Sequence, residues 1–232
     1  MPSPNVIREY VPESYYHVYN RGVEKRIIYQ DAQDYAVFMS YLRRHLSPDD
    51  TLDSQKRPYK FYGSIDLVAY CLMPNHFHFL LYSKEDPSQI AKFMQSLCIA
   101  YSMYFNRRYK RVGGLFQGRF KAIRITNDAY LQHISRYIHL NPTDYKSYKW
   151  SSLQYYLNAD KVNWLHPERI LDIFGASYGE FIDEYHDQKL ILQKIKHEID
   201  DWFVTRVFRV RPCKVLFVLF LELKVGPLRG VR

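Results

Sequence analysis

Between Ile65 and Tyr82 the chain carries two runs of strand length joined by Met73-Pro74-Asn75. Ile65 to Leu72 and His76 to Tyr82 are apolar and rich in β-branched and aromatic residues, and the three residues between them have turn chemistry. The segment therefore predicts a β-hairpin. Its neighbours fill in the rest. Tyr15 to Asn20 reads as a strand. Asp31 opens a helical pattern in which Tyr35, Phe38, Met39, Leu42 and Leu46 form one stripe. Ser47 to Tyr59 is polar, contains two prolines and reads as a loop. A long helix starts near Ser88, with Ile90, Phe93, Met94, Leu97, Tyr101 and Tyr104 on its apolar face, and Val112-Gly113-Gly114 breaks the chain. Arg119 to Thr126 reads as a strand. Asn127 or Asp128 caps another helix, which ends before Asn141-Pro142. The order β-α-β-β-α-β, then a helix, predicts an α+β fold with a ferredoxin-like antiparallel sheet.

The hairpin also carries the strongest chemical signal, Asn75-His76-Phe77-His78. Strand side chains alternate, so His76 and His78 point to one face and Phe77 and Phe79 to the other. Two imidazoles roughly 7 Å apart along a strand can grip one divalent ion. The same spacing also describes two half-exposed structural histidines. A second signal lies on the last helix, Tyr130-Leu131-Gln132-His133-Ile134-Ser135-Arg136-Tyr137. Residues three and four apart share a helix face, so Tyr130 and His133 point the same way, with Ile134 and Tyr137 nearby. His133 could add a third imidazole, and Tyr130 would then stand close to the ion.

Charge points to a polyanionic partner. Of the formal net charge of +9, most belongs to residues 203–232, which hold seven basic residues and one acid, Glu222. More telling is the stretch from Pro87 to Asn127, which has no Asp or Glu and carries Lys92, Arg107, Arg108, Lys110, Arg111, Arg119, Lys121 and Arg124. Such a segment attracts phosphates and releases counterions on binding. Tyr109, Phe116 and Phe120 are interleaved with the cations, the makings of a track for single-stranded nucleic acid. Cys71, Cys98 and Cys213 show no CxxC spacing, which argues against a disulfide framework or a cysteine zinc site and fits a reducing, cytoplasmic setting. No export signal is expected at the N-terminus. The apolar run 215–223 is nine residues, too short to span a bilayer as a helix.

Taken together, these motifs resemble the small single-tyrosine transposases of the HUH class, the insertion-sequence-200-like family. Tyr70-Cys71-Leu72-Met73-Pro74-Asn75-His76-Phe77-His78-Phe79-Leu80-Leu81 is similar to the family's HUH strand. Tyr16-His17-Val18-Tyr19-Asn20-Arg21-Gly22 resembles its first strand and turn, and Gly114-Leu115-Phe116-Gln117-Gly118-Arg119-Phe120-Lys121 the segment before its last core strand. Tyr130 through Asn141-Pro142 resembles the helix bearing the catalytic tyrosine, and Tyr148-Lys149-Trp150-Ser151-Ser152-Leu153 the segment after it. The resemblance covers about 15–157 in chain order and is closest to the REP-associated branch. Where relatives commonly have Val-Arg-Ala after the Asn-Pro, this chain has Thr143-Asp144-Tyr145. The helical third metal ligand is Gln in some relatives and His in others.

The resemblance implies a reaction and its residues. Tyr130 would be the nucleophile, and His76, His78 and His133 would hold Mg²⁺ or Mn²⁺. Arg21, Arg107, Arg108, Lys110, Arg111, Arg119, Lys121 and Arg124 would bind DNA. His17 could also approach the phosphate. Attack on a phosphodiester would give a 5′-phosphotyrosine and a free 3′-OH, and the reverse step would join strands. The substrate would be single-stranded DNA, with hairpin or palindromic repeats expected, acted on by a monomer or homodimer without membrane association. The expected organisation is a catalytic domain over 1–148, a helical extension over 149–202 and a basic, apolar tail over 203–232. Competing readings are an inactive nucleic-acid-binding protein with the same fold, a phosphoesterase using metal-activated water, and a zinc protein whose histidines staple the fold.

Overall fold

The fold is that of a computed structural model, which describes residues 11–48, 61–158, 161–174 and 178–184. These belong to the compact unit that ends at Glu184. Most of the expected loop at 47–59 and the whole tail 203–232 lie outside the described residues.

Four strands form one sheet: β1 (Ser14–Arg21), β2 (Ile65–Met73), β3 (His76–Ser83) and β4 (Lys121–Ile125). Their order is β2-β3-β1-β4, and every neighbouring pair is antiparallel. Helix α1 (Ala32–Leu46) links β1 to β2 and α2 (Ser88–Arg108) links β3 to β4. This is the ferredoxin-like arrangement that the pattern predicts. Helix α3 (Asp128–His139) follows β4, and α4 (Leu153–Leu157), α5 (Glu168–Phe174) and α6 (Tyr178–Asp183) complete the described chain.

Local chemistry fixes the ends of these elements. Asp31 caps α1 by accepting from the backbone N–H groups of Gln33 and Asp34, and Asn127 caps α3 by accepting from that of Tyr130 at 2.7 Å. The hairpin turn is two residues, Pro74-Asn75, since Met73 and His76 are the last register partners. This turn is docked. The Pro74 carbonyl accepts from the N–H groups of Ile28 and Tyr29, and the Asn75 carbonyl from that of Gly22. A Cβ at Gly22 would overlap the Arg26 carbonyl oxygen, so only glycine lets the chain turn this tightly after β1.

One sheet face packs against α1 and α2. Tyr16, Val18, Phe77, Phe79 and Leu81 from the strands meet Phe38, Leu42, Phe93, Leu97 and Tyr101 in a single buried cluster. The β2 edge is closed by chain from beyond residue 148. Leu72 donates to the Trp150 carbonyl, Ser152 to that of Tyr70 and His166 to that of Leu67, while Cys71 and Ser151 form a β-bridge. A nine-residue central-looking strand thus keeps no bare edge where this segment runs. None of the described helices is long and apolar enough to cross a membrane.

Candidate active site

The sheet face that meets α3 carries the chemistry. Alternation along the strands and the observed register set one row across it: Cys71 on β2, His78 on β3, Tyr19 on β1 and Lys121 on β4. The next row toward the hairpin turn is Met73, His76 and Arg21.

His76 and His78 share this face, with ring centroids 5.0 Å apart. The proton on His76 can be assigned from its neighbour. Its Nδ1 lies 2.6 Å from Oδ1 of Asn75, and the amide nitrogen of Asn75 donates to the Lys25 carbonyl. An amide oxygen only accepts, so His76 carries its proton on Nδ1 and keeps a lone pair on Nε2. His78 is buried, and its Nδ1 lies 2.9 Å from Nε2 of His17. Burial pushes the His17 imidazole down to about 3. It holds His78 well below the ordinary histidine range, with His76 and His17 adding to the effect. Both rings are therefore neutral near pH 7, the form in which imidazole binds metal.

Two tyrosines of α3 reach this face at different places. The Tyr137 ring meets the His78 ring edge-on at 5.3 Å and that of His17 at 6.0 Å. Tyr130, half-buried, stands near Tyr19, whose hydroxyl is raised mainly by burial and further by Tyr130. His133 is placed differently from the expectation. Its Nδ1 accepts from the Arg136 guanidinium at 3.0 Å, which leaves the ring proton on Nε2 and neither nitrogen with a spare lone pair. Burial and the Arg136 charge both lower its pKa. Among the described residues, no group of three His, Cys, Asp or Glu side chains is close enough to hold a metal ion. The donor chemistry fits two imidazole ligands, His76 and His78.

The expected DNA-binding cations divide into two groups. Arg108 bonds Asp31 at 2.6 Å and Asp34 at 2.7 Å, because the α1 N-terminus brings two carboxylates to the end of α2. Its guanidinium is engaged by these two carboxylates. Arg111 donates to Asn106. Arg107, Lys110, Arg119 and Arg124 are exposed. Lys121 and Arg21 flank the histidines in the two rows described. Sequence reasoning gave no chemical role to Asn75 beyond the turn, or to Tyr137, although the first directly precedes His76 and the second shares a helix face with Tyr130.

With the fold and this histidine face in place, the chain can be compared with known proteins. Residues 50–141 match the family model described as transposase IS200 like. That segment, which includes the hairpin histidines and α3, is similar to the IS200-like transposases. Solved structures similar to it include a REP-associated tyrosine transposase bound to a REP hairpin. That likeness is at 15% identity, covers 70% of this chain and 91% of that one, and has a TM-score of 0.48. A protein from Deinococcus radiodurans R1 assigned as a transposase shares 20% identity over 56% of this chain and 92% of that one, with a TM-score of 0.35. The tRNA(His) guanylyltransferase of Saccharomyces cerevisiae is similar at 10% identity over 76% and 78%, also with a TM-score of 0.35. No curated protein matches the chain.

Proposed function

We propose that this protein is a transposase that cuts and rejoins single-stranded DNA through one tyrosine, with Mg²⁺ or Mn²⁺ held by His76 and His78. The observation that carries the reading is the contact of an α3 tyrosine with His78, whose ring neighbours that of His76, inside the segment that matches the IS200-like transposase model. Hairpin or palindromic DNA is the proposed substrate, because the backbone must leave the duplex to reach a sheet face covered by a helix.

The nucleophile in this reading is Tyr137, supported by its ring contacts with His78 and His17. Its phenol oxygen attacks the scissile phosphorus, the phenolic proton is lost and the 3′-oxygen leaves as a hydroxyl. The new 5′-phosphotyrosine conserves the bond energy, so a 3′-OH can reverse the step without ATP. Lys121 and Arg21 balance the charge of the phosphate oxygens. A divalent cation held by His76 and His78 would supply Lewis-acid polarisation of the phosphate. Imidazole ligands favour Mn²⁺ over the harder Mg²⁺. His133 would have to release Arg136 before joining the pair.

A second reading keeps Tyr130 as the nucleophile, favoured by its greater exposure and its place in the first turn of α3. The test is incubation of labelled single-stranded hairpins with Mn²⁺, scored for a denaturation-resistant protein–DNA species. Wild type forms the species, and its absence across hairpins that the protein binds would refute the proposal. Free 5′-phosphate ends without an adduct would point to water as the nucleophile.

A further inference from the structure

We infer that His17 is a positioning residue that accepts the Nδ1 proton of His78 and so turns the Nε2 lone pair of His78 toward a divalent cation. This inference rests on the metal reading proposed above. His17 Nε2 and His78 Nδ1 are 2.9 Å apart in a fully buried contact, so one proton lies between them. If His17 donates it, His78 carries its own proton on Nε2 and cannot ligate. If His78 donates it, Nε2 is available. The neighbouring ligand already has this arrangement: Asn75 accepts from Nδ1 of His76 and leaves Nε2 with the lone pair. The pairing of a ligand imidazole with an acceptor at its other nitrogen is a general device for fixing ring orientation and raising basicity. Asn75 and His17 would serve the two histidines in parallel.

Packing keeps His17 in this role. Its ring stacks on Tyr19 at 5.0 Å, lies side by side with that of His78, with centroids 5.1 Å apart, and meets Tyr137 edge-on at 6.0 Å. The ring is thus clamped between aromatic neighbours and cannot swing away from His78. Its other nitrogen, Nδ1, is buried with no hydrogen-bond partner among the described residues. A buried imidazole with one unmatched nitrogen is a poor choice for stability alone, because an unmatched polar atom costs about 1–3 kcal/mol.

The test measures Mn²⁺ affinity by electron paramagnetic resonance on the full chain and three forms: wild type, His17→Phe and His17→Gln. Phe keeps the ring packing and removes the acceptor, whereas the amide oxygen of Gln falls near the place of Nε2. Mn²⁺ affinity is expected to fall about 10- to 100-fold in His17→Phe, with an unchanged or higher thermal midpoint, and to recover largely in His17→Gln. Imidazole nitrogen NMR with Mg²⁺ should show the His78 proton on Nδ1 in the wild type. Equal Mn²⁺ affinity in wild type and His17→Phe overturns the inference alone. So does a proton found on Nε2 of His78 in the Mg²⁺-loaded wild type, which decides the matter even if His17→Phe does not fold. A wild type that binds no Mn²⁺ overturns the metal reading and this inference with it.

Discussion

Tyr137 meets His78 edge-on, with ring centroids 5.3 Å apart, while Tyr130, two helical turns earlier, sits by Tyr19. The two phenols are separable by substitution. Tyr137→Phe is expected to abolish the covalent adduct while hairpin affinity stays within a few fold. Tyr130→Phe should keep the adduct. The opposite pattern on a denaturing gel would assign the nucleophile to Tyr130.

Asn75 is small and polar, yet the structure ties it to both the His76 imidazole and the Lys25 carbonyl. Asn75→Ala should lower Mn²⁺ affinity by about 10-fold, in the range found when outer partners of ligand histidines are removed. His76→Ala should lower it further. Isothermal titration would show this, and a wild-type affinity in Asn75→Ala would remove the residue from the site.

The cations on and after α2 should separate by salt dependence. Arg119→Ala is expected to reduce the slope of log affinity against log salt by about 0.7 for single-stranded DNA. Arg108→Ala should leave that slope unchanged and lower the thermal midpoint, because Asp34 is fully buried and would lose its cation. A slope change in Arg108→Ala would return that residue to the DNA-binding set.

Buried neutral histidines make the fold acid-sensitive. His139 accepts or donates at both nitrogens, to Tyr178 and Ser152, and burial pushes it down to about 3, as it does His17. The unfolded chain binds these protons below about pH 6.5, and the folded chain does not until near pH 3. Stability is therefore full above pH 6.5 and falls as pH drops through that window. Denaturant midpoints from pH 7 to pH 4 should decline, and His139→Gln should flatten the decline by about one proton. A flat wild-type profile would mean that these rings titrate normally.

Much of the fold was legible because burial leaves a period in the sequence. The strand at Ile65–Met73, the partner at His76–Ser83 and the helix at Asp128–His139 fall within a residue or two of the expected bounds. The HxH pair was legible for the same reason, since alternation alone puts His76 and His78 on one face. The partners of those histidines were not. His17 lies 61 residues from His78 in sequence, and no local pattern connects them. Helical spacing put Tyr130, His133 and Tyr137 on one side of α3 but could not say which turn rests on β3. Nor could it reveal that Arg136 would occupy His133. The run from Trp150 to His166 hides its role because it pairs with β2 through backbone groups, which leave no mark on residue type.

The stretch 50–141 that family comparison recognises lacks β1, although β1 is hydrogen-bonded to β3 on one side and β4 on the other. Cut out alone, it would leave those two strands with nothing between them, and it would also expose the β2 rim now sealed from Trp150 onward. The evolutionary signature and the smallest self-sufficient folding piece therefore have different borders. A fragment trimmed to the signature would leave β3 and β4 without the strand that joins them, whereas one that begins before Ser14 and runs through the Ile182 helix keeps every strand supplied with its neighbours.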